Sequence, residues 1–216
     1  MENEWERAIA PDDRSVGEGQ RLGVEPLSGF FARTPRFAVA LSGGVDSAYL
    51  LAAAVDAGCT VRAYLVNTAF QTKLELEDAR RVSGDLGVPF EVIDVDVLAH
   101  DDICSNPPDR CRLCKRFIFA HIARAAERDG FSVIADGTNA TDNPASRPGF
   151  ASLAEAGVVS PLRRAGMSKA AVRANARALG VPTADKPRFS CLAVQVPAGA
   201  RICADSLAEA ARAGGF

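Results

Sequence analysis

The sequence predicts an α/β fold, a parallel sheet with helices on both faces. Three observations carry that reading. Short apolar runs of strand length alternate along the chain with segments of helical period. The first run, Phe37–Leu41, is cut by Ser42-Gly43-Gly44-Val45-Asp46-Ser47, and a second apolar segment resumes at once. Hydrophobic residues make up 48% of the 216 residues, enough to bury one domain's core.

The elements follow in order. Residues 1–35 show neither period; Gly, Pro and charge dominate, and a loose lead-in with room for a short helix is expected. Phe37–Leu41 reads as a buried strand, Ser47–Ala57 as a helix stopped by Gly58, and Thr60–Val66 as a second strand. Thr72–Leu86 reads as a helix, with Thr72 and Glu75 in capping-box spacing and Gly87 as its stop. Phe90–Val95 is the third strand. Arg110–Arg128 is a helix with Phe117, Ile118, His121, Ile122 and Ala125 on one face. Phe131–Ala135 is the fourth strand, and residues 136–149 form a Gly/Asn/Pro loop. Ser168–Leu179 is a helix with Ser168 as N-cap and Gly180 as stop. From Asp185 the pattern loosens into a short extended piece and a helix at Ser206–Ala213. The expected division is a lead-in (1–35), an α/β nucleotide domain (36–184) and a C-terminal segment (185–216) carrying Cys191.

Composition narrows the classes of function. A net charge of −2 and a pI of about 5.8 give no global positive charge for nucleic acid. No apolar run approaches the roughly 18 residues of a membrane helix. The opening "MENEWERAIAPDDRS" is too polar for a secretory signal, so a cytoplasmic protein is expected. Stable disulfides are rare in such a reducing compartment. Cys59 then reads as packing, whereas Cys104, Cys111 and Cys114 cluster in what reads as a polar loop and need another explanation.

A strand, a Gly-rich turn and a helix together make a phosphate cradle. The glycines admit the ligand to the backbone, and the helix N-terminus points N–H groups and a positive dipole end at the anion. Ser42 and Ser47 add hydroxyls. The turn holds no lysine and lacks the G-x-x-x-x-G-K-[ST] pattern, so it is not the loop that grips a transferring γ-phosphate. It suits pyrophosphate as a leaving group while AMP goes to a substrate. Asp46 is placed to hold Mg²⁺ or to orient a serine. The plainer alternative is a glycine turn closing a strand–helix corner.

"SGGVDS" is the signature of the PP-loop ATP pyrophosphatase superfamily, whose fold is adenine nucleotide alpha hydrolase-like. "NPPDRCRLCK" (Asn106–Lys115), "DGTNATDNPASRPG" (Asp136–Gly149), "VVSPL" (Val158–Leu162), "KAAVRANARALGVPTADKP" (Lys169–Pro187) and "FSCLA" (Phe189–Ala193) follow in that order. From about Phe37 to Phe216 the set resembles the LarE family. These are ATP-dependent sulfur transferases that build the pincer cofactor of nickel-dependent lactate racemase. The resemblance implies ATP and Mg²⁺ at Ser42, Gly43, Gly44, Val45, Asp46 and Ser47 with Asp136, Gly137 and Thr138, and catalytic roles for Asp46 and Cys191. It also implies a small-molecule carboxylate substrate, a pyridinium dicarboxylate mononucleotide. The substrate would be adenylated with release of pyrophosphate, then attacked by sulfur with loss of AMP. Oligomer formation is compatible with it.

Cys111-x-x-Cys114 stands at a helix start, a spacing that brings two thiolates within reach of one metal. The helix N-terminus, Arg110 and Lys115 are expected to lower the thiol pKa values. Cys191 has to meet the pair in space. Three cysteines suggest a [4Fe–4S] cluster on Cys111, Cys114 and Cys191, with one iron free to carry an extra sulfide. The resemblance implies two kinds of enzyme. In one, the cysteine matching Cys191 gives up its own sulfur; the other has the C-x-x-C pair as well and a cluster. Half a zinc site, a redox pair and an inert Cys191 are the alternatives. His121 reads as a core histidine. Arg163 and Arg164 read either as a solvated face or as partners of a phosphate. The chain departs from the family pattern at Val194-Gln195, Thr141 and Ala145, and its C-terminal segment reads as shortened. Two other functions stay open: thiolation of tRNA or another cofactor, and a non-catalytic nucleotide or Fe–S binding module.

Overall fold

The computed structural model describes residues 25–143, 150–187 and 190–214. Four parallel strands, β1 (Arg36–Ala40), β2 (Thr60–Asn67), β3 (Phe90–Asp94) and β4 (Ile134–Ala135), lie in the order β3-β2-β1-β4. Val39 stands opposite Ala63 on one side and Ala135 on the other. The chain winds outward from β1 to β3 and then returns to the far side of β1. That reversal opens a crevice at the carboxyl ends of β1 and β4, where open α/β sheets bind ligands.

The helices are α1 (Leu27–Arg33), α2 (Val45–Asp56), α3 (Lys73–Asp85), α4 (Asp101–Cys104), α5 (Arg110–Arg128), α6 (Ala151–Glu155), α7 (Pro161–Arg164), α8 (Lys169–Ala178) and α9 (Ala204–Gly214). Among the described residues, none is long and apolar enough to cross a membrane. Strand alternation sorts the core into two layers. Phe37, Val39, Val61, Ala63 and Leu65 face α1, α2 and α8, while Ala38, Tyr64 and Val66 face α5. The helices therefore cover both faces, as expected. α2 is buried almost all round, from Val45 to Ala54, because α8 covers the side the sheet leaves free. This is why an unbroken apolar run follows the glycine turn. Each fully buried Leu there contributes about 1.5–3 kcal/mol. A third apolar cluster gathers Phe70, Val97, Ile103, Leu192, Ile202 and Leu207, with Cys114 and Cys191 packed against it.

Most expected elements form, with informative shifts. Thr72 caps α3 through a full capping box: Glu75 N donates to Thr72 Oγ1 (3.3 Å), and Thr72 N donates to Glu75 Oε2 (3.0 Å). Ser168 caps α8 by accepting from Ala171 N at 3.2 Å. α2 begins at Val45 rather than Ser47, with Gly44 as its cap, so Asp46 and Ser47 lie in its first turn. α9 begins at Ala204, two residues before Ser206. The fourth strand shrinks to Ile134–Ala135, because Phe131 N is still tied to Ala126 O (2.8 Å) at the end of α5. Phe131 instead lies under the Arg36 guanidinium at 4.2 Å. The lead-in does contain a short helix, α1; residues 1–24 and 144–149, including Ala145, lie outside the described residues.

Gly43 has φ +71°, and a Cβ there would overlap the Glu75 carbonyl oxygen. Gly44 has φ −90°, with Ser42 Oγ at 3.4 Å from an added Cβ. Gly43→Ala is therefore expected to cost about 1–3 kcal/mol from backbone strain alone, and more than Gly44→Ala. Urea unfolding of the two variants checks this; equal midpoints would contradict it.

Candidate active site

The turn after β1 is organised by its own hydroxyls. Ser42 N donates to Ser47 Oγ at 3.1 Å, the two serine Oγ atoms are 3.1 Å apart, and Ser47 Oγ donates to Gly44 O at 3.3 Å. The first N–H groups of α2 have no intrahelical partner, so they are donors aimed at the crevice. The loop after β4 packs directly on this turn. A Cβ on Gly137 would overlap the backbone nitrogen of Ser47. Gly137 thus sits where only a glycine allows the two loops to meet.

Two clefts flank the turn. The first, about 330 Å³, is lined by Ser42, Gly44, Asp46, Glu75 and Asp142 together with the cations Lys169, Arg173 and Lys186. The second, about 270 Å³, has an apolar wall of Leu65, Val66, Phe119 and Ile122, with Asp136, Gly137, Thr138 and Lys115 around it. Ser42, Asp46 and Asp142 line both clefts. Ser42, Gly44, Val45, Asp46, Ser47, Asp136, Gly137 and Thr138, named from the sequence, thus surround one crevice, and Gly43 lies in the same turn.

The cations were not legible as site residues in the sequence; the only signal was the basic run around α8 and the Lys186-Pro187 step. Each is tied to the protein's own groups. Lys169 Nζ reaches Asp46 Oδ2 at 2.6 Å. Lys186 Nζ pairs with Asp78 and lies 3.3 Å from Gly43 O. Arg173 donates to the carbonyls of Ala184 (2.5 Å) and Lys186 (2.7 Å). The other oxygen of Asp46, Oδ1, is buried and has no hydrogen-bond partner among the described residues. A buried carboxylate oxygen without a donor fits a divalent cation.

Asp136 is engaged by its own loop and by Ser160, just before α7. Its carboxylate accepts from Ser160 Oγ (2.6 Å), Thr138 N (3.3 Å) and Thr138 Oγ1. Arg163, a candidate for a phosphate, is spent on the same region. It donates to Asp142 O at 2.8 Å and lies 4.7 Å from the Phe150 ring centre. Arg164 is exposed. Thr141 Oγ1 donates to Asn139 Oδ1 at 2.6 Å and borders the first cleft.

Cys111 and Cys114 lie one turn apart on the first turns of α5, and Lys115, the next residue, lines the second cleft. Cys191 immediately precedes the 3₁₀ turn Leu192–Val194. The three thiols are close enough to perturb one another. Arg110, 8% exposed, donates to Cys111 Sγ at 3.4 Å, and its charge also acts on Cys191. For Cys114 the expected lowering of the thiol pKa is reversed. Burial pushes the Cys114 thiol up to about 12, with Cys191 and Cys111 adding to the rise against the pull of Arg110 and Lys115. Burial also raises Cys191, although Arg110 opposes it. Desolvation in the third apolar cluster outweighs the helix end and the neighbouring cations.

Three thiols are right in kind for an iron–sulfur cluster. Among the described residues, however, no group of three or more His, Cys, Asp or Glu side chains is arranged to hold a metal ion. The cluster expected from the sequence therefore has its donors gathered but not closed into a metal centre. The spare candidates do not complete a zinc site either. Cys104 is buried in α4 rather than in a polar loop, its Sγ donating to Val97 O at 3.3 Å. His121 pairs Nδ1 with Phe117 O at 2.9 Å, within its own helix. Cys203 is exposed at the start of α9.

A family model described as queuosine biosynthesis protein QueC matches residues 36–104, the stretch from β1 through α4. The uncharacterized protein slr1717 of Synechocystis is 32% identical over 191 residues, 88% of this chain and 71% of its own length. The pyridinium-3,5-bisthiocarboxylic acid mononucleotide synthase of Lactiplantibacillus plantarum is 30% identical over 176 residues, 81% of this chain and 64% of that protein. A tRNA-specific 2-thiouridylase, MnmA, of Acidithiobacillus ferrooxidans is 31% identical, and the chain spans 51% of its length. Among solved structures, NMN synthetase from Francisella tularensis aligns with a TM-score of 0.54 at 21% identity, over 75% of this chain and 70% of that one. Glutamine-dependent NAD⁺ synthetase from Acinetobacter baumannii, in complex with ADP, aligns at 0.59 and 18% identity over 76% and 35%. The two structures share the fold; the sequence relatives carry the kinship, and by them the chain belongs to the LarE-like family of PP-loop proteins.

Proposed function

We propose that the protein is an ATP-dependent sulfur transferase that activates a substrate carboxylate as its adenylate, releases pyrophosphate and installs sulfur. The observation that supports this reading is a two-part crevice, one part cationic and the other apolar, whose apolar part is lined by Lys115, the neighbour of Cys114. The L. plantarum relative supports a pyridinium dicarboxylate mononucleotide as substrate. The net charge of −2 lends no support to a tRNA acceptor. A reducing cytoplasm suits six free cysteines. In this reading residues 36–184 handle the nucleotide and 185–216 bring in Cys191.

The apolar cleft takes the nucleoside, and the cationic cleft takes the β- and γ-phosphates. Asp46, through its unpartnered Oδ1, would hold Mg²⁺, and Lys169 exchanges its pair with Asp46 for the phosphates. The substrate carboxylate oxygen attacks the α-phosphorus. The bond to the bridging oxygen breaks, and pyrophosphate leaves into the turn, where the α2 N–H groups and Lys169 stabilise its charge. A sulfur nucleophile then attacks the acyl carbon, the C–O bond to the phosphate breaks, and AMP departs. Arg110 holds the reacting sulfur beside the adenylate and offsets its charge. Two sources of that sulfur fit the trio. One is the Cys191 thiol itself, whose Cβ–S bond breaks by elimination after transfer and leaves dehydroalanine. The other is a [4Fe–4S] cluster on Cys111, Cys114 and Cys191, favoured by the gathering of three thiols where one would serve the first route. Such a cluster would supply an exchangeable sulfide.

Asp46→Asn and Ser47→Ala are each expected to lower pyrophosphate release by about 10²–10³-fold, the size of a lost preorganised charge-stabilising contact. Parent-like release by both variants in a coupled phosphate assay would refute the nucleotide assignment. Cys191→Ala is expected to abolish thiocarboxylate formation while pyrophosphate release persists. Cys111→Ala separates the two sulfur sources, read by iron analysis after anaerobic purification and by the mass of the peptide holding residue 191. Loss of both iron and repeated turnover supports the cluster. Undiminished transfer with dehydroalanine at position 191 supports Cys191 as the donor.

A further inference from the structure

Asn106 is 5% exposed and has φ 55°, the one non-glycine residue with positive φ among the described residues. Neither feature is explained by the crevice, whose lining does not include it. Its side chain points instead at the C-terminal segment. Asn106 Nδ2 donates to the carbonyls of Pro197 (2.8 Å) and Ala200 (3.1 Å). The seam continues through the backbone: Gly199 N donates to Asn106 O at 3.3 Å, and Ile202 N donates to Cys104 O at 2.8 Å. Val97, Ile103, Ile202 and Leu207 close apolar contacts around it.

The seam connects both halves of the thiol trio. On one side, Asn106 runs through Pro107 and Pro108 into α5, where Arg110 N bonds back to Pro107 O at 2.9 Å. Prolines fix φ, so little slack separates Asn106 from Cys111 and Cys114. On the other side, residues 197–202 continue the segment that begins at Cys191, and Leu192 N is pinned to Phe70 O at 2.9 Å. We propose that Asn106 is a positioning residue that sets Cys191 against Cys111 and Cys114. Two properties of asparagine are used together. It tolerates the left-handed backbone, and one amide nitrogen offers two N–H donors to two carbonyls. Aspartate keeps the first property and turns the second into repulsion between oxygens; glycine keeps the first and deletes the second.

The bearing of Asn106 on sulfur transfer rests on the function proposed above; its bearing on thiol geometry does not. The test treats the reduced full chain anaerobically with a short bifunctional thiol cross-linker and quantifies linked peptides by mass spectrometry. In Asn106→Asp, links from Cys191 to Cys111 or Cys114 are expected to fall at least about tenfold, the scale of losing two buried hydrogen bonds. The Cys111–Cys114 link within α5 and ATP binding should hold. Asn106→Gly should show the same selective loss to a smaller degree, and it carries the test alone if the Asp variant does not fold. A residue that only stabilised the fold would lower every link and ATP binding together. Parent-like ratios of Cys191 links to the intrahelical link in the folded variants, or a uniform loss of all links, overturn the proposal. Selective loss of the links with sulfur transfer intact would instead overturn the proposed sulfur chemistry.

Discussion

The start of α2 is held by backbone pressed on backbone. Gly43, in a left-handed conformation, lies against the Glu75 carbonyl, and Gly137 lies against the Ser47 nitrogen. These two contacts bring together the N-terminal end of α3, the turn after β1 and the loop after β4. Everything that lines the crevice is registered from them. The strand order makes this possible, because β1 and β4 are neighbours only where the sheet reverses its direction of growth. The burial of α2 on nearly every side then holds its first turn in place.

Charge is arranged around that fixed point. The cleft beside the turn carries Lys169, Arg173 and Lys186, yet each is engaged by a carboxylate or a carbonyl of the protein. Part-buried cations need such partners when no ligand anion is present. Asp46 is shared between two demands, one oxygen on Lys169 and the other, buried, without a donor among the described residues. The thiols follow a different rule. Cys114 and Cys191 sit against apolar side chains, and desolvation raises their pKa against the pull of Arg110.

Much of the fold was legible because local chemistry and global packing agree there. The Thr72–Glu75 box, the Ser168 cap and the short apolar runs of β1 and β2 are local signals that the tertiary structure keeps. The start of α2 was misplaced because Ser47 resembles a cap, whereas Gly44 supplies one without a side chain. The shortened β4 depends on how α5 ends, which strand periodicity does not encode. Within the site, the glycine turn and the cysteines were legible as motifs. Lys169 and Lys186 were not, because their partners Asp46 and Asp78 lie far away in sequence. The acidity of Cys114 was read with the wrong sign. Helix end and neighbouring cations are local, while the burial that overrides them comes from residues such as Leu192, Ile202 and Leu207, much later in the chain.

That dependence has a consequence for how the molecule is made. Chains are synthesised from the N-terminus, and early segments begin to pack before late ones emerge. Cys111 and Cys114 leave the ribosome long before Cys191 and the residues that bury them. During that interval the pair is wet and has no third thiol for company. Only when the later segment docks can the trio assemble and its apolar surroundings close. The two clefts are built from residues up to Pro187, so the order of synthesis completes them before Cys191 can join the other two thiols.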